Sequence, residues 1–319
     1  MVGKYEIEIY DNRIHYQFEI KRNITIIQGD SATGKTALIR LIADYQRLGK
    51  GSGITLICDK KCIVLNSLNW ESVIRSTHDQ IFFVDEDQPF VRSGDFANAV
   101  KGSDNYFVII YRDSLPRLAY SIDEIYGIRE DKKYSGLKKT YNEVYKLYNL
   151  EEMKPISPEV VIVEDSNSGY EFFSHVFVDR CVSAGGKSRV AQMTFEQLHK
   201  HSSVLSIVDG AAFGSEIREY LRRVRHMEGK AVLYAPESFE YLVLISGIVN
   251  VDRKKTEETY EYADSVKYES WEQYYTDCLM ELTADDRFLR YSKHKLRGGY
   301  LAESNMNRLK EVLPSLILS

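Results

Sequence analysis

The stretch Asn23–Arg40, NITIIQGDSATGKTALIR, constrains the fold of this chain more than any other part of the sequence. An apolar segment leads into the pattern GxxxxGK[ST] at Gly29–Thr36, and apolar residues at helical spacing follow. In this strand–loop–helix order, the pattern is typical of a phosphate-binding loop. The sequence therefore predicts a site for a nucleoside triphosphate.

Each residue type in the loop suits contact with phosphate. Gly29 and Gly34 permit backbone conformations that turn successive N–H groups inward, and the start of the helix adds positive charge. Lys35 would bring its charge to the β- and γ-phosphates, and the Thr36 hydroxyl would bind Mg²⁺. We predict that ATP and Mg²⁺ are the cofactors, although the loop does not choose between ATP and GTP. The predicted cofactor-binding residues are Gly29, Asp30, Ser31, Ala32, Thr33, Gly34, Lys35 and Thr36.

A second motif is the continuous apolar run Ile81–Val84, which Asp85 and Glu86 follow. Such a run is typical of a buried parallel strand, and ligands bind at the carboxyl ends of these strands. We predict that Asp85 binds Mg²⁺ and that Glu86 orients or deprotonates the attacking water. The alternative is a buried strand that ends in two solvated acids.

A further buried strand is predicted over Tyr106–Tyr111, with Arg112 and Asp113 at its end. Either residue could reach the γ-phosphate. Arg92, Arg112 and Arg117 are candidates to stabilise charge there, within the chain or across a dimer, and Arg112 is the predicted catalytic arginine. The alternative for each arginine is an ordinary exposed position.

The set formed by Gly29–Thr36, Asp85 and Glu86 resembles the additional-strand, catalytic-glutamate division of P-loop ATPases, the AAA- and ABC-like group. The resemblance covers about residues 1–130. It implies an α/β fold in which a P-loop NTPase parallel sheet carries helices on both faces, and it implies ATP hydrolysis. The chain departs from that group because no helical lid domain follows the third strand.

A second α/β pattern begins at Val160. Glu164 and Asp209 each follow a predicted buried strand of this pattern, and acids at strand ends suit oxygen-ligated Mg²⁺. This arrangement resembles a Toprim domain, as in topoisomerases, primases and the OLD-type nucleases that join a P-loop ATPase to Toprim. The resemblance implies a second magnesium site at Glu164 and Asp209 that acts on nucleic acid. Ala211 stands where the family has a second aspartate, which puts two-metal cleavage in doubt.

The predicted domain order follows from these patterns. It comprises a P-loop domain at 1–130, a helical linker at 131–158, a Toprim-like domain at 159–250 and a helical C-terminal region at 251–319.

The linker helix is predicted over Leu137–Leu150, where tyrosines recur at helical spacing. Two β-hairpins are predicted in the first domain, Tyr5–Tyr10 with Ile14–Ile20 and Ile54–Cys58 with Cys62–Leu65.

Composition narrows the partners and the compartment. The net charge of −5 gives the protein no overall positive field that would attract nucleic acid. The basic run Arg287–Arg297 is a candidate to bind a nucleic-acid phosphate backbone or an acidic partner, and the alternative is the outer face of a helix.

No apolar run is long enough to span a bilayer, so we expect no membrane contact. Cys58 and Cys62 have no second pair at zinc-ligand spacing, and small buried thiols in a cytoplasmic protein are expected.

Two functions remain open at this level, besides a structural scaffold without nucleotide chemistry, which would require the loop motif to be accidental. In the first, ATP hydrolysis gates a Toprim-like domain that acts on nucleic acid, and the resemblance implies a role in bacterial defence against phage. In the second, the chain is a nucleotide-dependent switch that binds a partner protein and has no nuclease activity. An oligomer is compatible with both.

Overall fold

The computed structural model describes residues 1–29, 34–66, 68–134, 136–148, 156–227 and 229–317. The chain forms two compact units. The first contains Met1–Tyr148 and Tyr260–Glu269, and the second contains Asn149–Thr259 and Ser270–Ser319. The fold is α/β, with one large mixed sheet in the first unit and one parallel sheet in the second.

The first unit contains nine strands and three α-helices among its described residues. The strands are β1 (Tyr5–Tyr10), β2 (Ile14–Ile20), β3 (Ile24–Ile27), β4 (Thr55–Ile57), β5 (Cys62–Val64), β6 (Ile81–Val84), β7 (Tyr106–Ile110), β8 (Ile125–Glu130) and β9 (Thr140–Lys146). The helices are α1 (Lys35–Leu48), α2 (Trp70–Ser76) and α3 (Gly94–Val100).

The strands of the first unit join in the order β4-β1-β2-β9-β8-β3-β7-β6-β5. The five from β8 to β5 are mutually parallel, and β3, β6 and β7 are buried along their whole length. The predicted α/β class is confirmed, and the sheet as a whole is mixed, with the predicted parallel arrangement limited to these five strands and to the pair β2 and β9. The antiparallel pairings are those of β1 with β2, of β1 with β4 and of β8 with β9.

The predicted hairpin at the start of the chain is confirmed. Tyr5 pairs with Ile20 and Tyr10 with His15 in antiparallel register. In the turn, the Asp11 carboxylate accepts hydrogen bonds from the N–H groups of Arg13 and Ile14, at 2.7 and 2.8 Å. This is the Asx-type turn that aspartate favours.

The second predicted hairpin is wrong. Both strands exist, but β4 pairs with β1 at one edge of the sheet and β5 pairs with β6 at the other edge. Each strand has only three residues, and longer neighbours supply the hydrogen bonds that a mutual hairpin would have made.

The predicted linker helix over 137–150 is also wrong. Residues 140–146 form β9, which pairs parallel with β2 and antiparallel with β8. The tyrosine spacing that indicated a helix also fits a strand, because Thr, Tyr and Val favour β-structure and neighbouring strands here provide the partners. The prediction for residues 149 and 150 lies outside the described residues.

The second unit is built on four parallel strands in the order β11-β10-β12-β13. These are β10 (Val160–Val163), β11 (Cys181–Ser183), β12 (Val204–Ile207) and β13 (Ala231–Tyr234). The helices are α4 (Ser168–Val176), α5 (Lys187–Leu198), α6 (Ile217–Val224), α7 (Phe239–Ile245), α8 (Lys254–Glu257), α9 (Trp271–Leu282) and α10 (Glu303–Glu311). Strand β11 was not predicted from the sequence.

Residues 260–269 belong to the first unit although they follow most of the second in the chain. The Ser265 hydroxyl donates to the carbonyl oxygen of Ser103 at 2.8 Å, and Lys101 forms an ion pair with Glu269 at 2.6 Å. The side-chain amide of Asn23 also donates to the Glu269 carbonyl at 3.2 Å. These contacts hold the returning segment against the sheet.

No helix in the described parts of the chain is both long and apolar enough to cross a membrane.

A buried ion pair supports the first unit at the amino ends of two core strands. Arg22 precedes β3 and Glu124 precedes β8, and both side chains are almost completely buried. The Arg22 Nε atom lies 3.4 Å from a Glu124 carboxylate oxygen, and the Thr25 hydroxyl donates to the other oxygen at 3.3 Å. Burial raises the pKa of Glu124, and the positive charge of Arg22 opposes this increase.

Removing one partner of this pair should leave a buried charge without compensation. We expect Arg22→Met to lower the free energy of unfolding of the first unit by about 3–5 kcal/mol, measured by urea denaturation. The double variant Arg22→Met, Glu124→Leu should recover most of the loss. Arg47→Ala, which removes an exposed pair with Asp44, is the control and should change stability by less than about 1 kcal/mol. A loss for Arg22→Met as small as that of the control would contradict the prediction.

Candidate functional site

Three parallel strands bring the sequence motifs of the first unit to one edge of the sheet. Strand β7 lies between β3 and β6, with Ile27 paired to Ile110 and Val84 paired to Ile109. The carboxyl ends of the three strands are therefore aligned within one residue. The predicted loop follows β3, the two acids follow β6, and the predicted arginine follows β7, so all three start from this common edge.

The predicted phosphate loop connects β3 to α1. Its residues Asp30, Ser31, Ala32 and Thr33 lie outside the described residues. Gly29 and Gly34 both have positive φ, at 134° and 92°, as expected where glycine is needed to reverse the backbone. Helix α1 begins at Lys35, immediately after the loop, and the Thr36 side chain is exposed at its first turn.

Lys35 is folded back across the start of the loop. Its side chain is buried, and the ammonium group donates to the carbonyl oxygen of Gly29 at 2.7 Å. A buried lysine is rare unless it is paired or used for binding. The contact places the predicted phosphate-binding charge at Gly29, where the loop begins.

Tyr16 of β2 supports the far end of the loop, a contact that the sequence did not reveal. Its hydroxyl donates to the carbonyl oxygen of Gly34 at 2.7 Å. A Cβ atom added at Gly34 would lie only 2.8 Å from that hydroxyl oxygen. Glycine is thus required at position 34 both for its backbone angle and for this close approach.

Asp85 is half-buried at the end of β6. One carboxylate oxygen accepts a hydrogen bond from the Glu86 N–H at 2.8 Å. Burial is the main reason that the pKa of Asp85 is raised, and the nearby Asp87 and Glu86 charges add to the effect. A bound cation would reverse this shift by favouring the ionised carboxylate.

Glu86 and Arg112 form a bidentate ion pair. The Arg112 Nε and Nη2 atoms each donate to a different oxygen of the Glu86 carboxylate, and both distances are 2.7 Å. The predicted base and the predicted catalytic arginine therefore contact each other. Arg112 is about half exposed, so solvent weakens the pair, although its planar fork fixes the orientation of the carboxylate.

The other two candidate arginines line a separate pocket of about 320 Å³ beyond β7. Arg92 lies against Tyr111, with its guanidinium carbon 5.4 Å from the ring centre and its Nε atom hydrogen-bonded to the hydroxyl. Arg117 approaches the backbone of Gly94. Neither contact connects them to Glu86, whereas Arg112 is directly bonded to it.

In the second unit, the parallel pairing of β10 with β12 brings Glu164 and Asp209 together. Val163 is in register with Ile207, and the Asp209 N–H donates to a Glu164 carboxylate oxygen at 3.1 Å. Both acids line a cavity of about 20 Å³, which has room for a water molecule or a single ion.

Sequence reasoning missed three further residues that line this cavity, Ser168, Glu240 and Lys293, and the Tyr291 side chain that contacts two of them. Tyr291 donates to the buried Glu240 carboxylate at 2.7 Å, and its hydroxyl lies 2.6 Å from that of Ser168. Lys293 lines the cavity and forms an ion pair with Glu272. The prediction that the run 287–297 forms the outer face of a helix is wrong, because these residues contain no helix, Tyr291 is buried and Lys293 lines the cavity. The weak signal for Glu240 was an acid within the apolar segment that became α7.

Burial raises the pKa of both Glu164 and Asp209. The negative charge of Glu272 adds to the effect on each, whereas the cations Lys187 and Lys293 oppose it at Glu164 and Asp209 respectively. Both carboxyls therefore favour the protonated state more than an exposed acid does.

Across the described ranges, no group of three or more His, Cys, Asp or Glu side chains is arranged to hold a metal ion. Ala211 occupies the position of the second aspartate of the Toprim pattern, and its backbone N–H donates to the Glu237 carbonyl oxygen at 3.1 Å. The magnesium sites at Thr36 and Asp85 and at Glu164 and Asp209 thus stay predictions.

The glycine segment Ser183–Ser188 forms the entry to α5. Gly185 and Gly186 have positive φ, and the Lys187 ammonium donates to the Ala212 carbonyl oxygen at 3.1 Å. In this position Lys187 ties two loops of the second unit together.

A scan against protein-family models found no matching family, and searches of curated proteins and of solved structures found no matching protein.

The raised pKa values make the second unit sensitive to pH. A group whose folded pKa is above its unfolded value stabilises the protein at low pH, and that contribution is lost as pH rises through the folded pKa. We expect Asp209→Asn to become more stable than wild type as pH increases from about 5 to 8. The difference at pH 8 should be about tenfold or more in the unfolding equilibrium constant, measured by thermal and urea denaturation.

Asp286→Asn is the matched control for this measurement. Backbone N–H groups of Leu289 and Phe288 donate to the Asp286 carboxylate and lower its pKa, so the variant should gain no stability at high pH. Parallel stability curves for Asp209→Asn and wild type across this range would contradict the prediction.

Proposed function

We propose that the first unit binds a nucleoside triphosphate with Mg²⁺ and hydrolyses it. The observation that carries this proposal is the alignment of β3, β7 and β6, because it gathers Lys35, Glu86 and Arg112 at neighbouring strand ends. These are the residue types that phosphoryl transfer uses to neutralise charge and position water.

The strand order also supports the proposal. The division of P-loop ATPases that the sequence resembles is defined by an additional strand. Strand β7 fits that description, because it lies between the loop strand β3 and strand β6, which ends at the two acids. A lysine at the start of α1 and an Asp-Glu pair at the end of β6 complete the arrangement.

The roles follow from position and charge. Lys35, whose ammonium donates to the Gly29 carbonyl oxygen, would turn that group to the β- and γ-phosphates. The Thr36 hydroxyl and the Asp85 carboxylate would hold Mg²⁺, which neutralises the developing charge on the phosphates. Loop amides after Gly29 and the start of α1 would bind the remaining phosphate oxygens.

The ion pair between Glu86 and Arg112 couples two of these roles. Each Glu86 oxygen keeps a lone pair that can accept from water, but the adjacent Arg112 charge lowers the basicity of the carboxylate, so Glu86 becomes the stronger base when Arg112 moves away. A terminal phosphate competes for the same guanidinium, because both anions suit its planar fork. In the proposed cycle, Arg112 therefore shifts toward the phosphate as Glu86 becomes a stronger base.

For the second unit, we propose action on nucleic acid through Glu164 and Asp209, gated by the nucleotide. The adjacency of the two acids favours this function. A switch without nuclease activity is the alternative, and it is favoured by Ala211 and by the ion pair of Lys293 with Glu272, which already provides a cation beside the acids.

The ATPase proposal predicts different effects for two variants. Lys35→Ala should weaken Mg²⁺–ATP binding at least about a hundredfold in calorimetry, because a charge-assisted contact to phosphate is lost. Glu86→Gln should retain binding but lower steady-state phosphate release by about a hundredfold or more, because the water loses its base.

Lys50→Ala, at an exposed position beyond the end of α1, is the control and should match wild type in both assays. Wild-type protein that shows no heat of binding with ATP or GTP and Mg²⁺ would overturn the nucleotide proposal. Binding without any phosphate release would leave a nucleotide-dependent switch in its place.

The second proposal is tested by cleavage of plasmid and single-stranded DNA or RNA with Mg²⁺ or Mn²⁺. We expect Glu164→Ala and Asp209→Ala to lower the rate by about a hundredfold or more, since each would remove a metal ligand. Asp286→Ala is the exposed-acid control and should keep full activity. Absence of divalent-dependent cleavage in the wild type would favour the switch.

A further inference from the structure

The two edges of the large sheet are joined by a very short piece of chain. Strand β4 lies at one end of the nine-strand order and β5 lies at the other end, yet only residues 58–61 separate them. Five residue steps span at most about 18 Å. The sheet must therefore curl until its edge strands approach each other, and the short link closes the seam between them.

Helix α1 packs against strands at both edges of the sheet, β1 and β4 at one edge and β5 at the other. Its Gln46 side-chain oxygen accepts a hydrogen bond at 2.8 Å from the N–H of Val64 in β5. Beside this contact is a pocket of about 320 Å³, lined by Tyr45 and Gln46 of α1 and by the link itself.

Two cysteines flank the link and line the same pocket. Cys58 follows β4 and is half-buried, whereas Cys62 begins β5 and is buried in the core of the unit. Their positions give one accessible and one protected thiol.

The thiols are also electronically different. The neighbouring Cys62 thiol is the largest cause that lowers the pKa of Cys58 to about 7, and the backbone at Lys60 contributes in the same direction. The neighbouring Cys58, with burial, raises the pKa of Cys62, whose thiol donates to the Lys60 carbonyl oxygen at 3.8 Å. Cys58 is therefore the thiol that ionises first, and Cys62 keeps its proton to higher pH.

We propose that Cys58 and Cys62 form a redox-active dithiol that reacts with small disulfides. The Cys58 thiolate attacks one sulfur of the disulfide, forming a mixed disulfide and releasing one thiolate. Cys62 then loses its proton and attacks the Cys58 sulfur, which releases the second thiolate. Two protein thiols are oxidised by two electrons, and the small disulfide is reduced to two thiols.

The mixed disulfide itself prepares the second step. The neighbouring Cys58 thiolate is the main cause of the raised pKa of Cys62. Once Cys58 is neutral, this cause disappears, so the Cys62 proton is lost more easily. The same pair is a poor structural zinc site, because no third or fourth ligand is grouped with it among the described residues.

The other two cysteines provide internal controls. Burial raises the pKa of Cys181 to about 12 and also raises that of Cys278. Neither lines the pocket at the seam. Both should react slowly with electrophiles at neutral pH, since the thiolate is the reactive form.

The proposal is tested on the full chain with iodoacetamide and oxidised glutathione. After limited alkylation across pH 5–10, tryptic peptides report each cysteine separately, because Lys60 and Lys61 provide cleavage sites between Cys58 and Cys62. We expect the Cys58 rate to have its midpoint near pH 7. Oxidised glutathione should give a non-reduced peptide pair that joins Cys58 to Cys62.

Two substitutions at Cys62 separate its roles. Cys62→Ser keeps a polar group beside Cys58, so the Cys58 midpoint should change little, but the reaction should stop at a stable glutathione adduct. Cys62→Ala removes that group and should move the midpoint upward by about one pH unit or more. Circular dichroism and thermal denaturation establish that each variant is folded.

Two results would overturn the proposal. One is a Cys58 alkylation profile that coincides with the profile of Cys181. The other is the absence of both the internal disulfide in wild type and the glutathione adduct in Cys62→Ser. These measurements need no nucleotide, so their outcome is independent of the ATPase proposal.

Discussion

The parallel hydrogen bonding of β3, β7 and β6 is the constraint on which the organisation of the first unit depends. All three strands are buried along their whole length, so their backbone groups must pair with one another instead of with water. Parallel pairing in this register forces their carboxyl ends to one edge. Lys35, Asp85 and Arg112 are far apart in sequence. The pairing of these three strands brings the segments that carry them to the same edge of the sheet.

The parts of the fold that the sequence predicted are those in which local pattern and tertiary environment agree. Continuous apolar runs identified β6, β7, β10 and β12, and alternation with an Asx turn identified the first hairpin. Prediction failed where the structure of a segment depends on which neighbouring strand it pairs with. The segment 140–146 carries tyrosines that suit a helix or a strand, and β4 and β5 are too short to specify which strand each will join.

The candidate sites show the same division. The loop glycines, the lysine and the strand-end acids could be placed from local motifs, because each motif contains its own backbone context. The contact of Tyr16 with Gly34 and the pairing of Glu86 with Arg112 join separate elements, and no spacing rule connects them. Around Glu164, the surrounding Glu240 and Lys293 come from segments about 75 and 130 residues further along the chain, so only the folded structure reveals them.

The return of residues 260–269 to the first unit determines how the two units can be isolated. The chain passes between the units after residue 148, after 259 and again after 269. A fragment that stops at residue 148 would lack the strip bonded to Asn23, Lys101 and Ser103, and would expose the surface beneath it. A faithful excision of the first unit would keep residues 260–269, replace the intervening residues 149–259 with a flexible tether and omit residues 270–319.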